Sequence, residues 1–331
     1  MNGTEPKIEI FKPFGEAFEL MKTMLFQPFD LKKWFVIGFA AWLGHLGGGG
    51  SFNYQYNRRE DVQKLHEAIS QIPHPILVIG VCVLISVVLV LIVLFTWLRA
   101  RGRFMFIDCI VKNRGAIAQP WHDFRKEGNS YFLFSLLVGL ALFVFAALLS
   151  VPLILLAVRG RYYFFIHRDQ LNIYVILAIA AWVFAVILFV LVWSLIANFM
   201  VPVMYRQRWR AAKAFGTVAT LIAAQPGEIV LYCLFLIVLA LATAIVACVV
   251  TCVTCCIAAI PYIGTVILLP IFVLLRSFSL LFLRQFGPEY DVWTSFVPPE
   301  FLPIFSPVSA VPPTSTSALN PPPESPLPPT Q

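Results

Sequence analysis

Apolar residues in this chain fall mostly into long unbroken runs divided by short polar segments. The first patterned stretch is different. Phe14, Ala17, Phe18, Met21, Met24 and Leu25 recur at three-to-four spacing, while Glu16, Glu19, Lys22 and Thr23 take the other side. That period predicts an amphipathic helix, ended by Pro28, which either packs on a bundle or lies in a headgroup layer. Six apolar runs then predict membrane-crossing helices at about 34–52, 75–98, 131–158, 171–204, 229–260 and 261–283.

The first run is weak. Only Trp34–Leu46 is strongly apolar, and Gly47–Gly50 follow it. At the helical rise those residues cover about 20 Å of a hydrocarbon core about 30 Å thick, so this run either crosses with little tilt or is re-entrant. The run 171–204 is longer than a bilayer requires and must tilt or project. Pro152, Pro202 and Pro270 lie inside runs and are expected to kink them. The polar segment 53–74 carries a short helical stretch, Arg59–Ile69. Ala258–Ile263 is too short for a real loop, which predicts a tight hairpin near Pro261.

The expected fold class is therefore all-α: a polytopic transmembrane helical bundle of about six spans with cytoplasmic interfacial amphipathic helices. Residues 1–33 form the N-terminal segment, 34–286 the bundle, and 287–331 a tail. The tail is crowded with proline from Pro298 to Pro329 and has no Lys or Arg, which predicts disordered or polyproline-like chain.

Composition supports lipid as the surrounding medium. The 331 residues are 60% hydrophobic and 12% charged, against about 25% charged in soluble domains. The mean hydropathy is +0.83. The net charge of +7 raises the question of nucleic acid. The basic residues lie in short segments between apolar runs, as membrane anchoring requires, and no soluble segment alternates basic and aromatic residues. No nucleic-acid partner is expected.

Basic residues also predict orientation. Segments 1–33, 99–130 and 205–228 carry 16 Lys and Arg, while 53–74 and 159–170 carry 6. The positive-inside rule puts the richer set, and both termini, in the cytoplasm, which predicts a multi-pass protein of the cell's cytoplasmic (inner) membrane.

Three segments precede runs that start from the cytoplasmic side: Phe14–Lys33, Asn113–Ser130 and Arg208–Glu228. Each has a short helical stretch with two aromatics (Phe14 and Phe18, Trp121 and Phe124, Trp209 and Phe215). Each then meets a Pro or Gly break. A threefold repeat of surface helix, span, turn and span explains the pattern. So does the general concentration of aromatics at membrane interfaces.

Within these segments, Phe11–Leu20 (FKPFGEAFEL), Phe26–Trp34 (FQPFDLKKW) and Arg99–Asp108 (RARGRFMFID) resemble an uncharacterised family of prokaryotic multi-pass membrane proteins. That family is similar to the membrane domain that accompanies some glycerophosphodiester phosphodiesterases. The resemblance covers about residues 8–290. It implies a membrane bundle, carries over no catalytic residues, and leaves the soluble phosphodiesterase domain without a counterpart here.

Few residues invite chemistry. Arg99, Arg101 and Arg103 close the second run, and Arg99 and Arg103 share a helix face at i, i+4. Guanidinium forks there are candidates for lipid phosphate. The plainer reading is cytoplasmic anchoring, with Asp108 neutralising one arginine. Arg276 is the intramembrane-charge candidate, set against simple snorkelling to the interface. His45 reads as a lone interfacial histidine. Cys248, Cys252, Cys255 and Cys256 fall near one helix face. One straight helix cannot wrap four sulfurs around a metal, so they are expected to pack, and no metal or other cofactor is expected. His122-Asp123 has no nucleophile or glycine-rich motif beside it.

Three functional readings follow. The first is a non-enzymatic membrane module that organises lipid or partner proteins. The second is a transporter or channel, suggested by the proline-broken spans and Arg276. The third is an intramembrane enzyme, which lacks a visible nucleophile–base pair. Expected partners are membrane lipid, a protein at the cytoplasmic face or tail, and a second copy of the chain.

The orientation is directly testable. Reporter fusions at Tyr56, Gln119 and Gln285 are expected to read outside, inside and inside. An extracellular Gln119 overturns the scheme.

Overall fold

The computed structural model describes residues 9–46, 73–163, 168–254 and 260–294. Among these residues the chain is entirely helical. In order the helices are α1 (Phe11–Phe26), α2 (Leu31–His45), α3 (His74–Val111), α4 (Ala118–Asp123), α5 (Arg125–Tyr163), α6 (Arg168–Gln207), α7 (Ala211–Ala224), α8 (Pro226–Val253), α9 (Pro261–Ile267) and α10 (Leu269–Arg284).

Local chemistry explains the breaks. Pro28 cannot continue α1, and the Asp30 carboxylate caps α2 by accepting from the backbone N–H of Lys32 at 2.9 Å and of Lys33 at 3.3 Å. The helix α3 runs on until Asn113, whose positive φ of 48° is a conformation asparagine tolerates better than most residues. Lys33 then ties three elements together. Its Nζ donates to the Met24 carbonyl at 2.9 Å and to Asn113 Oδ1 at 2.8 Å.

Six spans are expected, and among the described residues four helices are long and apolar enough to cross a membrane: Pro75–Val111, Arg125–Pro152, Ile176–Gln207 and Pro226–Val253. The expected first span is the 15-residue α2, with Gly47–Gly50 outside the described residues. The expected sixth span is two helices, α9 and α10, separated at Leu268 with Pro270 in the first turn of α10. Pro152 and Pro202 do lie inside helices. The stretch 59–69 and the turn 255–259 lie outside the described residues.

Burial divides the long helices into two parts. Apolar stretches such as Ile76–Phe95 on α3 and Ile176–Val192 on α6 carry exposed Ile, Leu, Val and Phe side chains. Lipid is the solvent that tolerates such surface. The core lies instead where the C-terminal part of α3, the end of α6, and α1, α2 and α10 pack together. Phe104, Phe199 and Phe278, one each from α3, α6 and α10, are fully enclosed there.

The expected apolar face of α1 is largely the one that packs, against α10: Ala17, Met21, Met24 and Leu25 are buried, while Phe18 turns outward. The first residues of the expected tail also pack. Tyr290–Trp293 are buried, and Asp291 pairs with Arg284 at 3.0 Å. Residues 295–331, with most of the prolines, lie outside the described residues.

The closest backbone approach joins α2 to α3. A Cβ built on Gly102 would stand 2.5 Å from the Gly44 nitrogen and 2.6 Å from the Leu43 carbonyl carbon. Neither is the end of a flexible side chain, so the helices themselves would have to separate. Gly102→Ala is therefore expected to destabilise the protein by about 1–3 kcal/mol. Gly80, with nothing within 4 Å, is the control, and Gly80→Ala is expected to be neutral or stabilising. Thermal melting of both purified variants checks this, and equal melting temperatures would sink it.

Candidate functional site

Continuation of α3 as one helix through Arg99, Arg101 and Arg103 decides where each guanidinium goes. Arg99 and Arg103, four residues apart, face the same way and line a cavity of about 490 Å³ between α3, α5 and α6. Its wall is apolar at Ile92, Phe95 and Val190, and polar at Tyr131, Ser135 and Ser194, with Trp193 beside them. Among the residues that line it there is no Asp or Glu.

Arg101 points elsewhere. Its guanidinium carbon sits 4.7 Å from the Trp97 ring centroid and 4.8 Å from that of Trp121, and Nη2 donates to Asn129 Oδ1 at 3.0 Å. Those partners hold its head away from the cavity, which it does not line, while its buried Nε has no hydrogen-bond partner among the described residues. The structure therefore does not bring Arg101 together with Arg99 and Arg103.

The expectation that Asp108 neutralises an arginine of this group is also corrected. Asp108 is fully buried, pairs with Lys112 and with Arg114 at 3.2 Å, and accepts from the Tyr205 hydroxyl at 2.9 Å. Its carboxylate is spent on the C-terminal end of α3. Asp291 is likewise committed to Arg284, and Glu127 pairs with Arg208 through Oε1 at 3.5 Å while its buried Oε2 has no partner among the described residues.

What remains, among the described residues, is a group of cations without a carboxylate partner. Arg103 donates to the Tyr131 hydroxyl. Buried Arg99 Nε has no hydrogen-bond partner among the described residues. Arg276 comes in from α10 and lies within electrostatic reach of Arg103. Its Nη1 donates to the Asn198 carbonyl at 3.3 Å, and its buried Nη2 has no partner among the described residues. Arg276 thus turns to the α6 backbone, where snorkelling was the simpler expectation. His45 lies within electrostatic reach of the same three arginines, its Nδ1 2.7 Å from the Ala41 carbonyl and its ring 4.7 Å from that of Phe272.

The chain belongs to a family of unknown function, DUF7544, which it matches over residues 9–287. This family match establishes the uncharacterised-family part of the resemblance; the similarity to the membrane domain of glycerophosphodiester phosphodiesterases has no support in it. No curated protein and no solved structure matches the chain.

Other candidates fare less well. Cys248 and Cys252 are exposed on α8, so the expected packing against a neighbouring helix is not seen for them, and Cys255 and Cys256 lie outside the described residues. His122 and Asp123 end α4 on the surface, where the Asp123 carbonyl accepts from Arg208 at 2.9 Å. A second hollow, about 690 Å³ beside Trp209, is lined by both Arg208 and Glu127, which already pair with each other.

Tyr131, Ser135, Trp193 and Ser194 were not read from the sequence as site residues. The available signal was weak: hydroxyl groups at the edges of apolar runs, each about as far from its span's other end as Arg99 is from Pro75.

The two kinds of charge predict opposite mutational behaviour. Asp108→Ala leaves Lys112, Arg114 and Tyr205 facing a lost partner. Breaking a buried pair in this way costs about 3–5 kcal/mol. Arg99→Gln removes a cation whose buried Nε has no hydrogen-bond partner among the described residues and is expected to leave the melting temperature unchanged or raised. A loss in Arg99→Gln as large as in Asp108→Ala would make Arg99 structural.

Proposed function

We propose that this protein is a non-enzymatic membrane module that holds anionic lipid, with the headgroup against Arg99 and Arg103 and a chain along Ile92, Phe95 and Val190. The observation that carries this reading is a cavity with two uncompensated guanidinium groups at one end and apolar walls at the other. Charge-assisted forks of this kind suit phosphate oxygens.

Depth supports the same reading. The exposed stretch Ile76–Phe95 rises about 29 Å, close to the thickness of the hydrocarbon core. Arg99 lies one helical turn beyond it. On α6 the exposed stretch ends at Val192, just before Trp193 and Ser194, and on α5 it begins at Leu133, between Tyr131 and Ser135. All three helices change from apolar to polar lining at the cavity, as a headgroup site requires. Trp97, Trp121, Trp193 and Tyr131 fit an interfacial aromatic belt. The positive-inside orientation puts this level on the cytoplasmic leaflet, where anionic lipid concentrates.

The transporter reading draws on the break before Pro270 and on Arg276. It needs a site near the midplane, and the cavity's polar end sits at the opposite extreme. The acidic proline-rich tail beyond residue 305 is read as a contact for a protein partner.

Lipid extracted from the protein purified in mild detergent tests the main reading. Wild type is expected to be enriched in anionic lipid over the bulk membrane. The Arg99→Gln, Arg103→Gln double variant is expected to carry at least about tenfold less, as loss of charged hydrogen bonds implies. Wild-type protein carrying lipid in bulk proportions would defeat the proposal.

A further inference from the structure

We propose that the cavity selects a phosphomonoester headgroup, a dianion on an apolar chain, over the monoanionic phosphodiester of ordinary anionic phospholipids. This rests on the lipid-holding reading and adds the ligand's charge. Arg99 and Arg103 line the cavity, and Arg276 lies within reach of Arg103. The carboxylates of Asp108, Glu127 and Asp291 are each bound to other cations. One negative charge leaves this group strongly unbalanced, whereas a phosphomonoester brings about 1.5–2 negative charges at neutral pH.

Donor geometry agrees with the charge count. A monoester offers three terminal oxygens and a diester two. The Arg99 and Arg103 forks with the Tyr131 and Ser194 hydroxyls can serve all three, and the third oxygen is the one a diester lacks. The lining hydroxyls sort themselves as well. Those of Thr96 and Ser135 already donate to the Ile92 and Phe132 carbonyls at 2.7 and 2.9 Å. The Tyr131 hydroxyl accepts from Arg103 and keeps its own hydrogen to give. Ser194 is the other lining hydroxyl whose hydrogen is not committed to a backbone carbonyl among the described residues. Arg99, Arg103, Tyr131 and Ser194 together provide donors for three oxygens, with Ile92, Phe95 and Val190 to receive the chain.

The test is native mass spectrometry of the full-length protein in detergent, titrated with phosphatidic acid, phosphatidylglycerol or phosphatidylcholine of identical acyl chains. Inorganic phosphate serves as a competitor. The expected result is phosphatidic acid bound at least about tenfold more tightly than phosphatidylglycerol, phosphatidylcholine weakest, and the preference shrinking at pH 5, where the monoester becomes a monoanion. Inorganic phosphate at the same concentration is expected not to displace the lipid. Equal binding of the two anionic lipids, or a preference unchanged at pH 5, overturns the dianion inference and leaves the lipid-holding reading standing. Binding of neither anionic lipid above phosphatidylcholine defeats that reading itself. Displacement by equimolar inorganic phosphate assigns the site to free phosphate and overturns the lipid-borne part. The pH comparison uses wild-type protein, so it holds even where an arginine variant fails to fold.

Discussion

Close approach of α2 to α3 at Gly44 and Gly102 is the contact on which the packed end of this molecule depends. A Cβ on Gly44 would lie 3.4 Å from the Arg103 nitrogen, so the helices meet one residue from the arginine that enters the cavity. Both backbones are within reach only because neither position carries a side chain. On its other side α2 meets α9, where the Trp34 indole donates to the Val266 carbonyl at 2.9 Å. The same short helix therefore sets the positions of α3 and of the segment leading into α10, and with them Arg103 and Arg276. A contact between two small residues beside Arg103 thus helps assemble the charged group.

Around that contact, charge is distributed unevenly. Asp108 collects two cations and a phenol, while Glu127 and Asp291 collect one cation each. A different arrangement of the same acids could have neutralised Arg99 or Arg103. The fold places the acids beyond the arginines, at the outer ends of α3, α5 and α10. Guanidinium cannot shed its proton, so a cation left this way must be solvated, stacked or bound by an anion. Arg101 takes the second course between two tryptophans. Arg99 and Arg103 have a cavity in front of them, which leaves room for the first and third.

Much of this was readable from spacing alone, and some that was missed could have been. Long apolar runs gave helices, and the i, i+4 spacing of Arg99 and Arg103 gave a shared face. At about 100° per residue, Arg101 is turned about 200° from Arg99, and Asp108 is about 180° from Arg99 and about 140° from Arg103. An unbroken helix therefore could not have joined Asp108 to those arginines, whereas Lys112 stands four residues on. The second apolar run ends at Leu98, but the helix continues to Val111. A cluster of arginines after an apolar run marks a membrane boundary, and a membrane boundary is not a helix end: Arg, Phe, Met and Ile all continue a helix, and no breaker occurs before Asn113. Tyr131, Ser194 and Asn198 were out of reach for a different reason. Their relation to Arg99, Arg103 and Arg276 is set by packing between helices far apart in sequence, which no periodicity encodes. The packing of Tyr290–Trp293 was likewise hidden, because it depends on Asp291 finding Arg284 across a turn at Gly287.

Position along the helices also discriminates between functions that share the same residues. A translocation pathway must offer solute a favourable site near the middle of the bilayer, where broken helices expose backbone dipoles. Here the exposed apolar stretch of α3 is continuous through about 29 Å, with no charged residue between Ile76 and Phe95. The polar lining appears only where that stretch ends. An enzyme acting on lipid would need a nucleophile or general base beside the arginines. The lining offers Thr96, Tyr131, Ser135 and Ser194, with no carboxylate to activate them, and the ring of His45 lies against Phe272. Arg99 and Arg103 with the Tyr131 and Ser194 hydroxyls can bind and orient an anion, and that is the chemistry on which the lipid-holding proposal draws.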